Sequence, residues 1–277
     1  MLQPMNSTAP STRDVSVQVI TLNEANNIGA ALAGILANNP GELVVIDGGS
    51  TDSTVAIARE MGAQVLEPGR LGRGASRRVG YLDTQLPYIA FVDADDRLSV
   101  DWLEITLKEF TDGKYAALQS SLRVVEPKGF WEKGWNEYLR ETVKPTTDTR
   151  MIGHPALYLT SALQSGPTEV GHEHEDTQMS VDFVNRGLRQ GVGSAIAMRH
   201  VPGTRSENLG KWKDYGRGYR VLVERLPDRK KSILKHIWWT IPIARGWKPV
   251  LRGKLLQPLW AYYMGTRILY GFYFRKS

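Results

Sequence analysis

Along the first hundred positions, short β-branched apolar runs alternate with stretches of helical spacing. VSVQVIT (15–21), LVVID (43–47), AQVLEP and YIAFVDAD (88–95) read as four strands. Between them, Asn23 is placed to cap a helix carrying Ile28, Leu32, Ile35 and Leu36 on one face. GGSTD opens a second helix through Val55, Ala56, Ile57 and Met61, and residues 72–84 form a third. Asp101 and Trp102 begin a fourth, through Leu103, Ile105, Leu107 and Phe110. Strands separated by helices of this length need right-handed crossovers, so the expected fold is doubly wound α/β around a mostly parallel, Rossmann-like sheet. From about 115 to 200 the pattern is mixed, with YAALQSSLRVV strand-like and Trp131–Leu139 helical. Beyond 208 it turns helical, aromatic and basic.

In such sheets ligands gather beyond the carboxyl ends of the strands. Three of the four strands end there in polar clusters: Thr21–Leu22–Asn23–Glu24, Asp47–Gly48–Gly49–Ser50–Thr51–Asp52 and Asp93–Ala94–Asp95–Asp96. The second cluster has two readings. It is a tight turn with a helix cap, or a carboxylate and glycines set against a nucleotide base or sugar. It is no phosphate cradle, because neither G-x-x-x-x-G-K-[ST] nor G-x-G-x-x-G follows the first strand. In the third cluster, Asp93 and Asp95 are two residues apart on an expected extended strand end. They point the same way and repel unless a cation or hydroxyls sit between them. Hard oxygen donors suit Mg²⁺ or Mn²⁺ bridging to diphosphate. Alone, such a triplet is commonly a solvated loop.

Charge divides the chain. The net +6 combines about −7 over the first 200 residues with about +13 over residues 201–277, and no acid follows Asp228. Cysteine is absent, which removes disulfides, thiolate zinc sites and cysteine nucleophiles together. No run of 18 apolar residues suggests a spanning helix. The first 13 residues lack the apolar centre of a signal peptide and read as a loose tail, so a cytoplasmic location is expected.

TLNE at 21–24, DGGSTD at 47–52, GRLGRGASRRVGY at 69–81 and DAD at 93–95 together resemble a family 2 glycosyltransferase of GT-A fold, in order and spacing along roughly residues 15–200. The resemblance implies that Thr21, Leu22, Asn23, Glu24, Asp47 and Gly49 line the base and ribose of a nucleotide-sugar donor. Leu22 stands where the family usually has an aromatic residue. Asp93 and Ala94 would meet the ribose, Asp95 the metal on the diphosphate, and Arg77, or else Arg73, the donor. Arg77–Arg78–Val79–Gly80 replaces the family's usual Arg-Asn-x-Gly, and either arginine also reads as a solvated helix residue. GHEHEDTQMSVDFVNRGLRQG (171–191) resembles the Glu-Asp motif whose Asp is the general base. That assigns Asp176 the role, with Glu175 second and Glu173 behind it; the same acids also read as helix capping. His200, after the strand-like SAIAMRH, is the candidate to complete the metal shell with Asp95 and Asp93. His172 and His174 have zinc-compatible spacing but no third ligand, and His154 is a candidate on the acceptor side.

These readings imply a flexible stretch 1–13, a catalytic domain 14–204 (nucleotide half 14–113, acceptor half 114–204) and a basic helical extension 205–277. Five of the eight Trp lie in the extension: Trp212, Trp238, Trp239, Trp247 and Trp260. Leu256, Leu259, Trp260, Tyr263, Tyr270 and Phe274 can share one helical face. Cationic, aromatic helices of this kind lie in the headgroup plane of anionic membranes. The other reading makes these aromatics the core of a helical subdomain. Nucleic acid is not expected, since no recognised binding motif accompanies the charge. The expected activity is metal-dependent, inverting sugar transfer from a nucleotide-diphosphate donor, UDP-linked by family bias, to a membrane-held glycan or glycolipid. A non-catalytic sugar- or lipid-surface binder on the same scaffold and a nucleotidyltransferase are the alternatives.

Overall fold

A computed structural model describes residues 9–149, 151–167, 175–201, 203–225, 230–231, 234 and 256–274. The chain forms two compact units, Met1–Ser121 with Lys144–Met198, and Leu122–Val143 with Arg199–Ser277. The second unit thus recruits a segment from the middle of the expected catalytic domain.

The first unit is built on β1 (Val15–Thr21), β2 (Glu42–Asp47), β3 (Gln64–Leu66) and β4 (Tyr88–Asp93), with α1 (Ile28–Ala37), α2 (Thr54–Glu60) and α3 (Arg73–Asp83) as crossovers. Next come β5 (Asp96–Leu98), α4 (Trp102–Asp112), β6 (Ala117–Val124), β7 (Ala156–Leu159), α6 (Thr160–Gln164), α7 (Glu175–Asn185) and β8 (Gln190–Arg199). The intervening α5 (Phe130–Thr142) belongs to the second unit. The sheet runs β3-β2-β1-β4-β7-β6-β8-β5. Its first four strands are parallel, whereas β7 runs antiparallel to both β4 and β6.

Central β1 is covered on both faces, so its alternating polar residues Ser16 and Gln18 are as buried as Val15, Val17 and Val19. A buried amide needs a partner, and Gln18 Nε2 donates to Gly80 O at 2.9 Å. A Cβ at Gly80 would meet Gln18 Oε1 and Ile46, so this glycine lets α3 lie close on the sheet.

Several local expectations shift. Asn27, not Asn23, precedes α1, whose buried face is Ile28, Ala31, Leu32 and Ile35, with Leu36 exposed. β4 stops at Asp93, and Ala94 and Asp95 form a turn rather than extended strand. Residues 12–14 are a 3₁₀ turn, held where Thr12 Oγ1 and Arg13 Nη1 each donate at 3.0 Å to Asn39 O and Pro40 O. Residues 1–8 of the expected loose stretch lie outside the described residues.

The second unit contains α5, α8 (Arg205–Arg225) and α9 (Leu256–Tyr273). Its centre is aromatic. Trp135 stacks on Trp212 at 4.5 Å, and Trp260 lies 5.5 Å from both. Trp212 and Trp260 are thus core residues, while Trp238, Trp239 and Trp247 lie outside the described residues. Among the described residues of α9, the large buried side chains are Trp260, Met264 and Ile268, one turn apart; Leu259 and Tyr270, and Phe274 just beyond the helix, expected to share that face, are exposed. Among the described residues, no helix is long and apolar enough to cross a membrane.

Candidate active site

The carboxyl ends of β1, β2 and β4 carry the three polar clusters. The first two are knitted together. Asn23 sits in the left-handed region (φ 55°), its backbone N–H donating to Ser50 Oγ at 2.8 Å and its Oδ1 accepting from Thr51 N at 2.8 Å. Glu24 N donates to Thr54 Oγ1 at 2.8 Å, and Glu24 Oε2 accepts from Asn27 Nδ2 at 2.8 Å. Asp47 is buried. Its Oδ2 accepts from Gly49 N and Ser50 N, both at 2.8 Å, and its Oδ1 from Ser50 Oγ at 2.5 Å. Gly49 takes φ +94°, which L side chains avoid. Asp47 thus accepts three hydrogen bonds from its own turn. Thr21 Oγ1 is buried without a hydrogen-bond partner, and Leu22 is exposed beside this loop.

The third cluster closes on itself. After β4 the chain turns so that Asp93 N donates to Asp96 Oδ2 at 3.2 Å. Asp93, Asp95 and Asp96 each place a carboxylate oxygen within 4.8 Å of the others. Asp95 and Asp93 were legible as candidates; Asp96 was not assigned, because only the turn folds it inward. Three converging carboxylates repel, and their hard oxygens fit Mg²⁺ or Mn²⁺. Ala94 is buried within the turn. His200 belongs to the second unit, where its charge helps hold Glu132 and Glu207 below the usual carboxylate range, behind the hydrogen bonds each carboxylate accepts.

Beneath this cluster lies a buried polar centre. Arg77, on α3, is only 2% exposed. Its Nη2 donates to Asp93 Oδ1 at 3.0 Å and its Nε to Glu175 Oε1 at 3.2 Å, while the guanidinium lies 4.9 Å from the Phe91 ring centre. Burial opposes the Arg77 charge, yet Asp93 and Glu175 outweigh it and raise its proton affinity. The Tyr158 hydroxyl stands 3.2 Å from His154 Nε2, and both rings are buried. Burial pushes the Tyr158 pKa up; Arg77 opposes the shift, while Asp176, Glu175 and Asp93 add to it. All four charged groups therefore act on one hydroxyl. Glu175 is buried, whereas Asp176 is half-buried at the start of α7, its Oδ1 accepting from Thr177 N at 2.7 Å. Arg73 is exposed, and His172, Glu173 and His174 lie outside the described residues. The Arg77–Glu175 pairing spans 98 positions and left no signal in the sequence.

The mostly parallel eight-stranded sheet with its flanking helices has the GT-A, Rossmann-like fold. The chain belongs to glycosyl transferase family 2, whose model matches residues 16–166. It is similar to an uncharacterized glycosyltransferase of Rickettsia bellii, 32% identical over 82% of this chain and 74% of that protein. A dolichyl-phosphate hexose transferase of Haloferax volcanii is 35% identical over 36% of this chain, and the match spans 44% of that relative's length. Among solved structures, the mannosyltransferase PcManGT from Pyrobaculum calidifontis, in complex with GDP-Man and Mn²⁺, superimposes with a TM-score of 0.61 at 19% identity over 96% of this chain and 78% of that one. S. aureus TarS in complex with UDP-GlcNAc gives 0.55 at 19% identity, over 76% of this chain and 66% of that one. These structural likenesses show the fold.

Proposed function

We propose that this protein moves a sugar, with inversion, from a nucleotide-diphosphate donor to an acceptor hydroxyl in a metal-dependent reaction. The observation that carries the reading is the trio Asp93, Asp95 and Asp96 within 4.8 Å at the end of a parallel strand. Asp95, Asp93 and Asp96 would hold Mn²⁺ or Mg²⁺ there. A divalent ion so held supplies positive charge for the departing diphosphate. The preformed loops around Thr21, Leu22, Asn23, Glu24, Asp47 and Gly49 would receive the base and ribose, expected to be uridine. Asp176 would take the proton from the acceptor hydroxyl as it attacks the anomeric carbon from the side opposite the leaving group. Glu175 is less suited to that role, because Arg77 already holds its carboxylate.

The acceptor we propose is a lipid-linked or otherwise membrane-held glycan, with the protein peripheral on the cytoplasmic face. The basic balance of residues 201–277 and the dolichyl-phosphate hexose transferase among its relatives support this. The deciding experiment is a thermal-shift screen of nucleotide diphosphates with and without Mn²⁺. A ligand of the native state raises the midpoint by mass action, and a shift that needs the ion supports the reading. No shift with any nucleotide favours a non-catalytic binding protein on the same scaffold.

A further inference from the structure

We propose that Arg77 is a positioning residue that mechanically joins the donor end of the site to the base end. The inference rests on the transferase reading above. One guanidinium is shared by two carboxylates that arrive from unrelated parts of the chain. Asp93 closes β4 and is part of the carboxylate trio; Glu175 opens α7 and immediately precedes Asp176. The two bonds, at 3.0 and 3.2 Å, use different nitrogens of a planar fork, so they set an angle as well as a separation. Phe91 underneath and close packing of α3 through Gly80 leave the fork little freedom.

A stabilising role does not account for this arrangement. Buried ion pairs are often no better for stability than apolar residues of the same volume. This one is also incompletely satisfied, since Arg77 Nη1 is buried without a hydrogen-bond partner. One cation between two carboxylates leaves the group net negative in a poorly solvated place. What the geometry does provide is rigidity between two elements that sequence does not connect. With Asp93 tied to Glu175, the carboxylate trio and Asp176 keep a fixed spacing, and spacing of reacting groups is worth large rate factors. Because nearly all of Arg77 is covered, it acts through these two acids and is not a surface group for ligand capture.

The test uses full-length protein and the variants Arg77→Lys, Arg77→Met, Glu175→Gln and Asp93→Asn. Lysine keeps the charge and loses the fork, whereas Glu175→Gln keeps an acceptor for Arg77 Nε and loses the charge. Calorimetry with UDP and with GDP, each with Mn²⁺, reads the donor end. Nucleotide release from the matching sugar nucleotides, with water as acceptor, reads the chemical step. Thermal unfolding without ligand reads the link itself. Glu175→Gln is expected to bind nucleotide within about twofold of wild type and release it roughly tenfold more slowly. Arg77→Lys is expected to lose about tenfold in both. The unfolding effects of Asp93→Asn and Glu175→Gln should be non-additive with Arg77 present and additive in Arg77→Met.

Variants Arg77→Lys and Glu175→Gln that bind and turn over like wild type overturn the inference. Additive unfolding effects with Arg77 in place do the same. A wild type that binds neither nucleotide removes the donor reading, and the unfolding cycle then decides alone: non-additivity upholds the link and additivity overturns it.

Discussion

At the scale of single residues, the site is a set of acids with different hydrogen-bonding neighbours. Asp47 accepts three hydrogen bonds from its own turn, Glu175 pairs with Arg77, and the Asp93–Asp95–Asp96 trio has converging oxygens. Replacing Asp95 by Asn removes a charge from that trio while keeping its size. Mn²⁺-dependent nucleotide binding should be lost with the melting temperature unchanged, and titration calorimetry with UDP and Mn²⁺ checks this. Asp176→Asn should instead keep nucleotide affinity and lower transfer by about 10²–10⁴-fold, because a general base acts in the chemical step. Single-turnover transfer with a working acceptor measures it; a near-normal rate moves the role to another acid. The candidates Asp93, Asp95, Asp176 and Glu175 were legible as short clusters at element ends. Asp96 was not, because its inward turn is a property of the chain after β4.

At the scale of elements, glycines and caps decide how closely helices approach and where they start. A Cβ at Gly216 on α8 would strike the Ile268 carbonyl of α9, and one at Gly271 on α9 the Lys213 carbonyl of α8. Gly216→Val should therefore cost about 1–3 kcal/mol through overpacking, or roughly 2–4 °C of melting temperature per kcal/mol, read by calorimetric unfolding. The start of α5 depends on Glu132, whose Oε2 accepts from Gly129 N at 2.6 Å and Lys128 N at 2.8 Å. These bonds, with His200 and Lys128 nearby, hold its carboxyl below its ordinary 4.5. A depressed carboxyl stabilises the fold fully above its ordinary value, and that contribution fades as pH falls through the lower folded value. Glu132→Ala should cost about 1 kcal/mol near pH 7 and much less near pH 3, when unfolding curves at the two pH values are compared.

At the scale of the whole molecule, the basic C-terminal region carries both a core and an exposed aromatic surface. Trp212 and Trp260 pack with Trp135, so removing α9 would strip that core rather than release a loose appendage. Leu259, Tyr262, Tyr270, Tyr273 and Phe274 remain exposed on or just beyond α9. Full-length protein should sediment with vesicles containing anionic lipid and be released as salt rises, because screening acts over about 8–10 Å. Replacing Tyr262, Tyr273 and Phe274 together by Ser should weaken sedimentation without altering Mn²⁺-dependent nucleotide binding. Protein that stays in the supernatant with such vesicles removes the support that the basic region lends to a membrane-held acceptor.

The sequence by itself determined the alternation of β1 to β4 with α1 to α3, because apolar period and turn chemistry are local properties; the short β5 left no such signal. β1 at 15–21 and α3 at 73–83 both lie where that pattern places them. It also determined which strand ends carry the acids, since side chains at the carboxyl edge of a parallel sheet need no partner to be recognised. Tertiary structure alone decided the rest. The antiparallel insertion of β7 beside β4, the joining of Asp93 to Glu175 through Arg77 and the meeting of Trp135 with Trp212 and Trp260 all pair residues far apart in the chain. Such pairings depend on which faces the packed elements turn toward one another. A charged residue reads the same in sequence whether it ends in water or, like Arg77, beneath the site.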